Sequence, residues 1–271
     1  SNSDNWSTGA SLQFFRKLNS KGRNIAVNGN INYGRGNNKS LSASNVHLYQ
    51  VKDMYGNDST YQTNRYNVAP SNNMSYSLRA TYTEPLFKNV FLQMSYQYQY
   101  SHSVSDRRTY NFERIPEESW NEIMNAYRDW NSMLGLFEQP LEYYLDDELS
   151  RYAEHNNYNH NINVQLRVVN EKYNLNAGVV VRPQRSHLIQ DYWGMLVDTV
   201  RTVTNVSPTV NFRYRFSKYS DIRLTYRGST SQPSITSLLD ITDDSNPLYI
   251  SKGNPGLKPS FTSNINLNFK S

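Results

Sequence analysis

The strongest constraint in this sequence is a two-residue rhythm. Val210, Phe212, Tyr214 and Phe216 alternate with Thr209, Asn211, Arg213 and Arg215. After a polar turn at Ser217–Ser220, Ile222, Leu224 and Tyr226 alternate with Asp221, Arg223, Thr225 and Arg227. A period of two sends successive side chains to opposite faces of a β-strand. One face of this hairpin is therefore apolar and aromatic, and the other is charged. The apolar face has to meet either a protein core or lipid. The two strands keep their faces together only if opposed residue numbers sum to an even value. Phe216 opposite Ile222 and Arg215 opposite Asp221 both satisfy this, and the second would be a cross-strand ion pair.

The same rhythm recurs along the chain, in Trp6–Phe14, Asn24–Tyr33, Ser75–Tyr82, Val90–Tyr100, Asn161–Val168, Tyr173–Val181 and Ile265–Phe269. Asn28, Asn30 and Asn32 share one face, and asparagine is poor in ordinary strands, so that face is expected to lie in water. Tyr96, Tyr98 and Tyr100 stack on the other face, as in an interfacial aromatic girdle. Between Asn161–Val168 and Tyr173–Val181 a two-residue turn at Asn170-Glu171 is expected, with Val169 facing Lys172.

The connections sort by length. Tight turns are expected near Asn19–Gly22, Pro85–Asn89, Asn170–Glu171 and Ser217–Ser220. Long connections are expected at 34–73, 102–159, 186–206 and 230–260. The first of these carries two weaker strand-like runs, Ser42–Lys52 and Thr60–Val68, around Tyr55-Gly56-Asn57-Asp58. In the second, Pro116, Glu117 and Glu118 resemble a helix first turn, and Trp120, Ile123, Met124, Tyr127 and Met133 or Leu134 recur at helical spacing. A second short helix is expected over Leu141–Tyr152. The plain reading is a helix packed on its own loop; the sharper one is a lid or a ligand contact. Strict alternation of tight turns and long loops is what an up-and-down outer-membrane barrel produces, and a soluble sandwich has no reason to produce it.

Composition decides the remaining question of class. Mean hydropathy is −0.77, and no run approaches the ~18 apolar residues of a membrane helix. A transmembrane β-barrel escapes that test because only every second residue faces lipid. Tyrosine is abundant, 22 in 271 residues, and suits strands and membrane interfaces. The sequence contains no cysteine, which excludes disulfides and thiolate metal sites. The net charge of +5 is spread along the strands, which argues against nucleic acid as a partner. The sequence predicts an all-β fold, an antiparallel up-and-down transmembrane barrel with helical insertions in long extracellular loops, running as one barrel segment over residues 1–271. About nine spanning strands are expected, whereas single-chain bacterial barrels use even numbers. With the polar start SNSDNW, this predicts a mature or excised piece of a larger barrel.

At Gln232–Ser260 the residues become specific. Pro233-Ser234-Ile235, Asp244-Ser245-Asn246-Pro247-Leu248, and Gly253-Asn254-Pro255 with Leu257-Lys258-Pro259 resemble a segment in the C-terminal barrel of TonB-dependent receptors, in the Bacteroidetes-type outer-membrane β-barrel family. Where the family usually has Glu after the last proline, this chain has Ser260. Tyr82-Thr83-Glu84-Pro85-Leu86 and Asn205–Phe216 look similar to the family's strand-end patterns. The resemblance implies a large barrel in the outer membrane of a Gram-negative cell, of the 22-stranded kind. It also implies an N-terminal plug in the same full-length protein, a TonB complex engaging the region upstream, and a surface lipoprotein as a partner. The implied function is that of a receptor and transporter, which binds a nutrient at its extracellular loops and passes it through the lumen.

The expected lumen face carries Arg79, Arg167, Arg182, Arg213, Arg215, Arg223 and Arg227 with Asn and Gln beside them. Such a wall favours anions or sugar-like hydroxyls; the plainer reading pairs these arginines with carboxylates of the plug or lumen. The prolines and glycines of 232–260 are expected to fix a rigid loop without ladder hydrogen bonds, with Pro233, Asp243, Asp244, Asn246, Gly253, Asn254, Pro255 and Lys258 as its candidate binding residues. Asp243 and Asp244 suit calcium or sugar hydroxyls, although a solvated turn is the plainer reading. No catalytic set stands out, so no enzymatic activity and no cofactor are expected. His155 and His160 beside Glu154 are the nearest approach to a metal motif. The alternatives are a non-energised barrel that binds or scaffolds partners and a soluble β-rich carbohydrate-binding domain, with an outer-membrane hydrolase behind them.

Overall fold

The computed structural model describes residues 1–271 except 53, 57, 127, 193–194, 232, 234–236, 238–241, 247–248 and 255; of 45–47, 50, 58–62, 130–131, 192, 242–246 and 249–251 it describes the backbone only. Nine strands form one antiparallel sheet: β1 (Asn2–Lys17), β2 (Asn24–Lys52), β3 (Asp58–Phe87), β4 (Val90–Asn111), β5 (Leu145–Val169), β6 (Tyr173–Tyr192), β7 (Met195–Arg215), β8 (Asp221–Ser231) and β11 (Ser260–Lys270). Each pairs with its predecessor in that order, and β1 and β11 are the two edges of an unclosed sheet. A second pair, β9 (Thr242–Asn246) and β10 (Tyr249–Lys252), forms a small hairpin of its own.

The tight turns fall where the rhythm breaks. Asn19 accepts hydrogen bonds from the backbone N–H groups of Lys21 and Arg23, and Gly22 closes the turn at φ +102°, a conformation that glycine adopts without steric cost. Arg23 then donates through Nε to Glu84 Oε2 at 2.9 Å, and Tyr82 also donates to that carboxylate, which ties the first turn to the end of β3. The β5–β6 turn differs from expectation. Val169 pairs with Asn174 rather than Lys172, and the Asn170 N–H bonds to the Tyr173 carbonyl. The parity of the faces is unchanged, because the slip is by two residues.

Two of the expected long loops are largely strand, and a third, 102–159, is strand at both ends. β2 and β3 run on through 34–73 to a turn at 54–56, as the strand-like runs Ser42–Lys52 and Thr60–Val68 anticipated, β5 starts at Leu145, and β6 and β7 extend through 186–206. The helix expected over Leu141–Tyr152 is a single 3-10 turn, Leu141–Tyr144, followed directly by β5. Loop 232–260, expected to lack ladder hydrogen bonds, contains the β9–β10 pair. In these stretches both faces are polar, so apolar alternation vanishes while the backbone ladder continues.

The helical insertion is present as α1 (Glu117–Ala126) and α2 (Trp130–Leu134). Asp129 caps α2 by accepting from the Ser132 N–H at 2.9 Å, and Ser132 Oγ accepts from the Asp129 N–H, a reciprocal capping box. Tyr127, one of the residues expected at helical spacing, lies outside the described residues. Phe112, Trp120, Ile123, Met133 and Tyr144 bury themselves against Tyr66 of β3 and Tyr110 of β4. Tyr66 stands on the same face as Tyr76 and Leu78, because all three have the same parity on one strand. The loop thus folds back onto the apolar side of the wall.

That apolar side is exposed. Leu78 is 58%, Val164 40% and Leu267 64% exposed, whereas Ser95, Ser186 and Ser207 on the opposite face are 5–7% exposed. The sheet is inside-out relative to a soluble protein. The apolar band also slants. On β2 it spans Ile25–Tyr33, bounded by Arg23 and Arg35. Ile25 is in register, strand by strand, with Pro208 of β7, yet the β7 band continues to Tyr214, six positions further on. Tyr33 is in register with Val200, yet the β7 band stops at Val206, six positions short. Both edges therefore shift the same way, and the band keeps a height of nine residues on both strands. Six residues are about 20 Å along a strand and five strand spacings about 24 Å, which makes the strands lean by roughly 40°. A lean of about 35–45° and a height near 9–11 residues are what a transmembrane barrel requires.

Candidate functional site

All seven candidate arginines lie on the polar face. Arg79 pairs with Gln97, Gln97 with Asn161, Arg167 with Asn176, Asn176 with Asn211, and Arg213 with Arg223. Opposed residues share a face, as do residues an even number apart on one strand, which carries the assignment to Arg182, Arg215 and Arg227. The structure does not bring all seven together. Arg213, Arg215 and Arg223 sit at the tight-turn end, with Arg167 at the matching level on β5. Arg227 lies further along β8, and Arg79 and Arg182 lie midway up the wall.

The expected register of Arg215 against Asp221 is present, but the ion pair is not the expected one. Asp221 instead binds Arg213 Nη2 at 2.7 Å and Arg223 Nε at 3.0 Å. Arg213 and Arg223 are directly opposed like charges, an arrangement that repels unless an anion stands between them. Asp221, with a side chain only 11% exposed, is placed to do this. Its position two residues before Arg223 and diagonal to Arg213 gives it both contacts.

Midway up, the face is built from amides. Gln97, Gln99, Asn159, Asn161, Arg182 and Gln184 bound a cavity of about 270 Å³. Arg182 Nη1 donates to Ser207 Oγ at 3.1 Å, Gln184 Nε2 to Ser186 Oγ at 3.1 Å, and Ser186 Oγ to Asn157 Oδ1 at 2.6 Å. A second concavity of about 610 Å³ runs across β1–β4 and is floored by Ser7, Gly9, Asn32, Gly34, Ser75 and Ser101. Amide and hydroxyl groups offer donors and acceptors together, so this part of the wall suits neutral hydroxyl- or amide-bearing solutes. The amide row is legible as parity on β4 and β5; its convergence on Arg182 is not.

The loop motif is less convergent. The Pro233 carbonyl accepts from Arg201 Nη1 at 2.5 Å, which ties the start of the loop to the polar face of β7. Arg201 falls in a stretch expected to be loop, and the signal was its parity with Asn205 and Ser207. Asn254 donates its N–H to the Ser237 carbonyl and accepts at Oδ1 from the Gly256 N–H. Gly253 is half-buried and Lys258 exposed. Asp243, Asp244 and Asn246 lie on β9 with only their backbone described, and Pro255 lies outside the described residues.

His155 and His160 point to opposite faces, because they differ by an odd number on one strand, and this separates the two ligands of the candidate metal motif. Among the described residues no group of His, Asp or Glu is arranged to hold a metal ion. His155 faces the polar side above the lipid band, where its Nε2 is buried without a partner. Burial holds its imidazole below the ordinary 6.5. A histidine with a lowered folded value stays neutral while the unfolded chain takes up a proton, so stability falls as pH drops through about 6.5. The protection factors of β5 amides around His155, taken relative to the intrinsic exchange rate at each pH, are expected to fall between pH 7.5 and 5.5, and His155→Gln is expected to flatten that dependence. Glu154, on the outward face, behaves in the opposite sense to His155's neutral preference. Hydrogen bonds from Asn156 and Tyr152 hold its carboxyl below the ordinary range.

Comparison with known proteins bears on this wall. Residues 197–271 match the outer membrane protein beta-barrel family. The chain is a segment of an outer-membrane β-barrel. The match falls on β7, β8, β11 and the loop before it, where the rhythm is strongest. No curated protein matches the segment in sequence. Among solved structures, the ferric citrate transporter FecA in its unliganded form superposes with TM-score 0.50 at 13% identity, over 83% of the segment and 27% of that chain. The ferric-catecholate import receptor Fiu of E. coli K12 superposes with TM-score 0.50 at 11% identity, over 85% of the segment and 36% of that chain. The segment thus spans about a third of the length of the barrels it resembles. The likeness shows the fold: an antiparallel sheet of the kind that builds an outer-membrane β-barrel.

Proposed function

We propose that this segment is part of the wall of a TonB-dependent outer-membrane receptor, which binds a nutrient at its extracellular loops and passes it along the polar face. The observation that carries the reading is the slanted, exposed apolar band backed by a continuous face of amides and arginines. Lipid takes the first and an aqueous passage the second. A plug from the same full-length protein fills part of that passage, and the TonB complex acts through the region upstream. Selectivity arises where solute meets Gln97, Asn161, Arg182 and Gln184, through hydrogen bonds and the arginine field.

The segment has no cysteine of its own, so in a full-length background cleared of any others, single cysteines report cleanly. In the full-length protein, Asn161→Cys and Gln184→Cys are expected to react with a water-soluble thiol reagent, and Val179→Cys only with a lipid-soluble one. The opposite pattern would overturn the assignment of faces. Inactivating TonB is expected to stop solute uptake while leaving surface binding intact; uptake that persists would point to a non-energised barrel.

A further inference from the structure

We infer that a cavity on the lipid side of the wall, beneath the helical insertion, holds the saccharide headgroup of an outer-leaflet glycolipid. This rests on the assignment of the apolar side to lipid and not on transport. The cavity measures about 400 Å³ and lies on the outward face of β4, β5 and β6. Asp106, Tyr152 and Asp191 form one row across it, because Asp106 pairs with Tyr152 and Tyr152 with Asp191. On their own strands these residues share parity with Met94, Val164 and Val179 of the apolar band. Leu145, where the insertion rejoins the wall, lines the upper end.

Height selects the occupant. Tyr152 lies ten residues beyond Ile162, the last residue of the β5 apolar run. Ten residues are about 33 Å along a strand, or about 25 Å in height at a lean of roughly 40°. The headgroup zone of a bilayer reaches only about 5–8 Å beyond its hydrocarbon, so the head of a simple phospholipid stops well short. A lipid whose head is a chain of sugars spans the gap. The way up is polar and stays on the same face. Tyr100 and Tyr158 stand at the top of the band with ring centroids 5.1 Å apart. Tyr100 Oη donates to Asn156 Oδ1 at 2.8 Å, Asn156 Nδ2 to Glu154 Oε1 at 3.0 Å, and Tyr152 Oη to Glu154 Oε2 at 3.1 Å. Amphipathic rings below and hydrogen-bonding groups above make one continuous surface from the acyl chains to the cavity.

The lining selects sugar hydroxyls over phosphate. Asp106, Asp147 and Asp191 outnumber Arg108 and Arg151, and Arg108 already binds Asp106 through Nε at 3.3 Å and Nη2 at 3.2 Å. A phosphate therefore meets a net negative rim. An ionised carboxylate accepts hydrogen bonds at two oxygens, and neighbouring hydroxyls of a sugar supply two donors. The remaining N–H groups of Arg108 serve sugar oxygens in return. Between the two carboxylates of the row, the Tyr152 ring offers a flat apolar face to the C–H side of a sugar ring. Its hydroxyl is tied to Glu154, which holds that ring in place.

The test is native mass spectrometry of the full-length protein in detergent, titrated with lipooligosaccharide purified from a Gram-negative outer membrane. Binding is expected, and Asp147→Asn combined with Asp191→Asn is expected to weaken it about tenfold, the worth of one hydrogen bond to a charged group. Both residues are exposed, so heat-modifiable migration of the variant is expected to match the parent. Asp198→Asn, on the same face outside the cavity, is expected to leave binding unchanged. A truncated glycolipid that keeps acyl chains and phosphates but lacks the outer sugars is expected to bind no better than phosphatidylethanolamine, and a dephosphorylated one with its full saccharide as well as the intact form. Equal binding of the truncated form, dependence on phosphate, or insensitivity to the paired substitution would overturn the inference. Free saccharide that binds as tightly as the acylated form would overturn the lipid as its source. Reversed thiol labelling at 161, 179 and 184 would instead sink the assignment of faces.

Discussion

Replacing Val164 by arginine is expected to remove most of the full-length protein from the outer membrane, whereas arginine at the adjacent Asn163 is expected to be tolerated. Val164 lies at the middle of the β5 apolar run, Ile162–Val168, and is 40% exposed. It stands in register with Met94 and Val179, which share its face. An arginine on the lipid face at mid-depth costs about 2–4 kcal/mol, comparable to a large part of a domain's net stability. Asn163 has the opposite parity and faces Ser95 and Val180, where arginine joins the face that already carries the seven candidate arginines. The readout is the amount of protein in the outer-membrane fraction and its heat-modifiable migration. A block at Asn163→Arg with tolerance at Val164→Arg would place the apolar side in a closed protein interior.

Phe112→Ala is expected to release the helical insertion while leaving the barrel wall folded. Phe112 is fully buried, with ring centroids 5.4 Å from Trp120, 4.8 Å from Phe137 and 5.3 Å from Tyr144. Truncating a buried phenylalanine costs about 3–5 kcal/mol, more than a short insertion holds in reserve, since α1 and α2 are too short to be stable alone. The loss stays local because Phe112 lies beyond the last β3–β4 pair, Arg65 with Asn111, and alanine keeps its one backbone bond to the wall, from the Phe112 N–H to the Asn64 carbonyl at 2.8 Å. Trypsin added to intact cells is expected to cut at Arg114 and Arg128 within minutes in the variant and slowly in the parent, with the amount of assembled barrel unchanged. Continued protection in Phe112→Ala would show that something other than this aromatic cluster holds the insertion. The same geometry corrects the idea of a lid: the described cluster seats on the outer side of the wall, against Tyr66 and Tyr110, and away from the polar face.

The candidate arginines were legible in the sequence as a set because membership of a face depends only on odd and even numbering. Their grouping was not. Arg215 and Asp221 are directly opposed, as the hairpin parity allowed, but the carboxylate reaches diagonally to Arg213 and along its own strand to Arg223. Side-chain length and rotamer decide between an opposite and a diagonal neighbour, and neither is written in the alternation. Arg201 was missed because Ser186–Val206 carries polar residues on both faces, and the contrast that marks a strand is then absent.

By itself, the sequence determined which residues share a face, where the tight turns fall and that one face is apolar enough to need cover, by a core or by lipid. All three follow from local backbone geometry and the two-residue period. Tertiary structure alone decided how far the strands continue beyond the apolar band, that the helical insertion leans outward, and that the band slants by six residues over five strand spacings. Ladder hydrogen bonds form between backbones whatever the side chains, and register belongs to pairs of strands, so neither leaves a mark on one strand read alone.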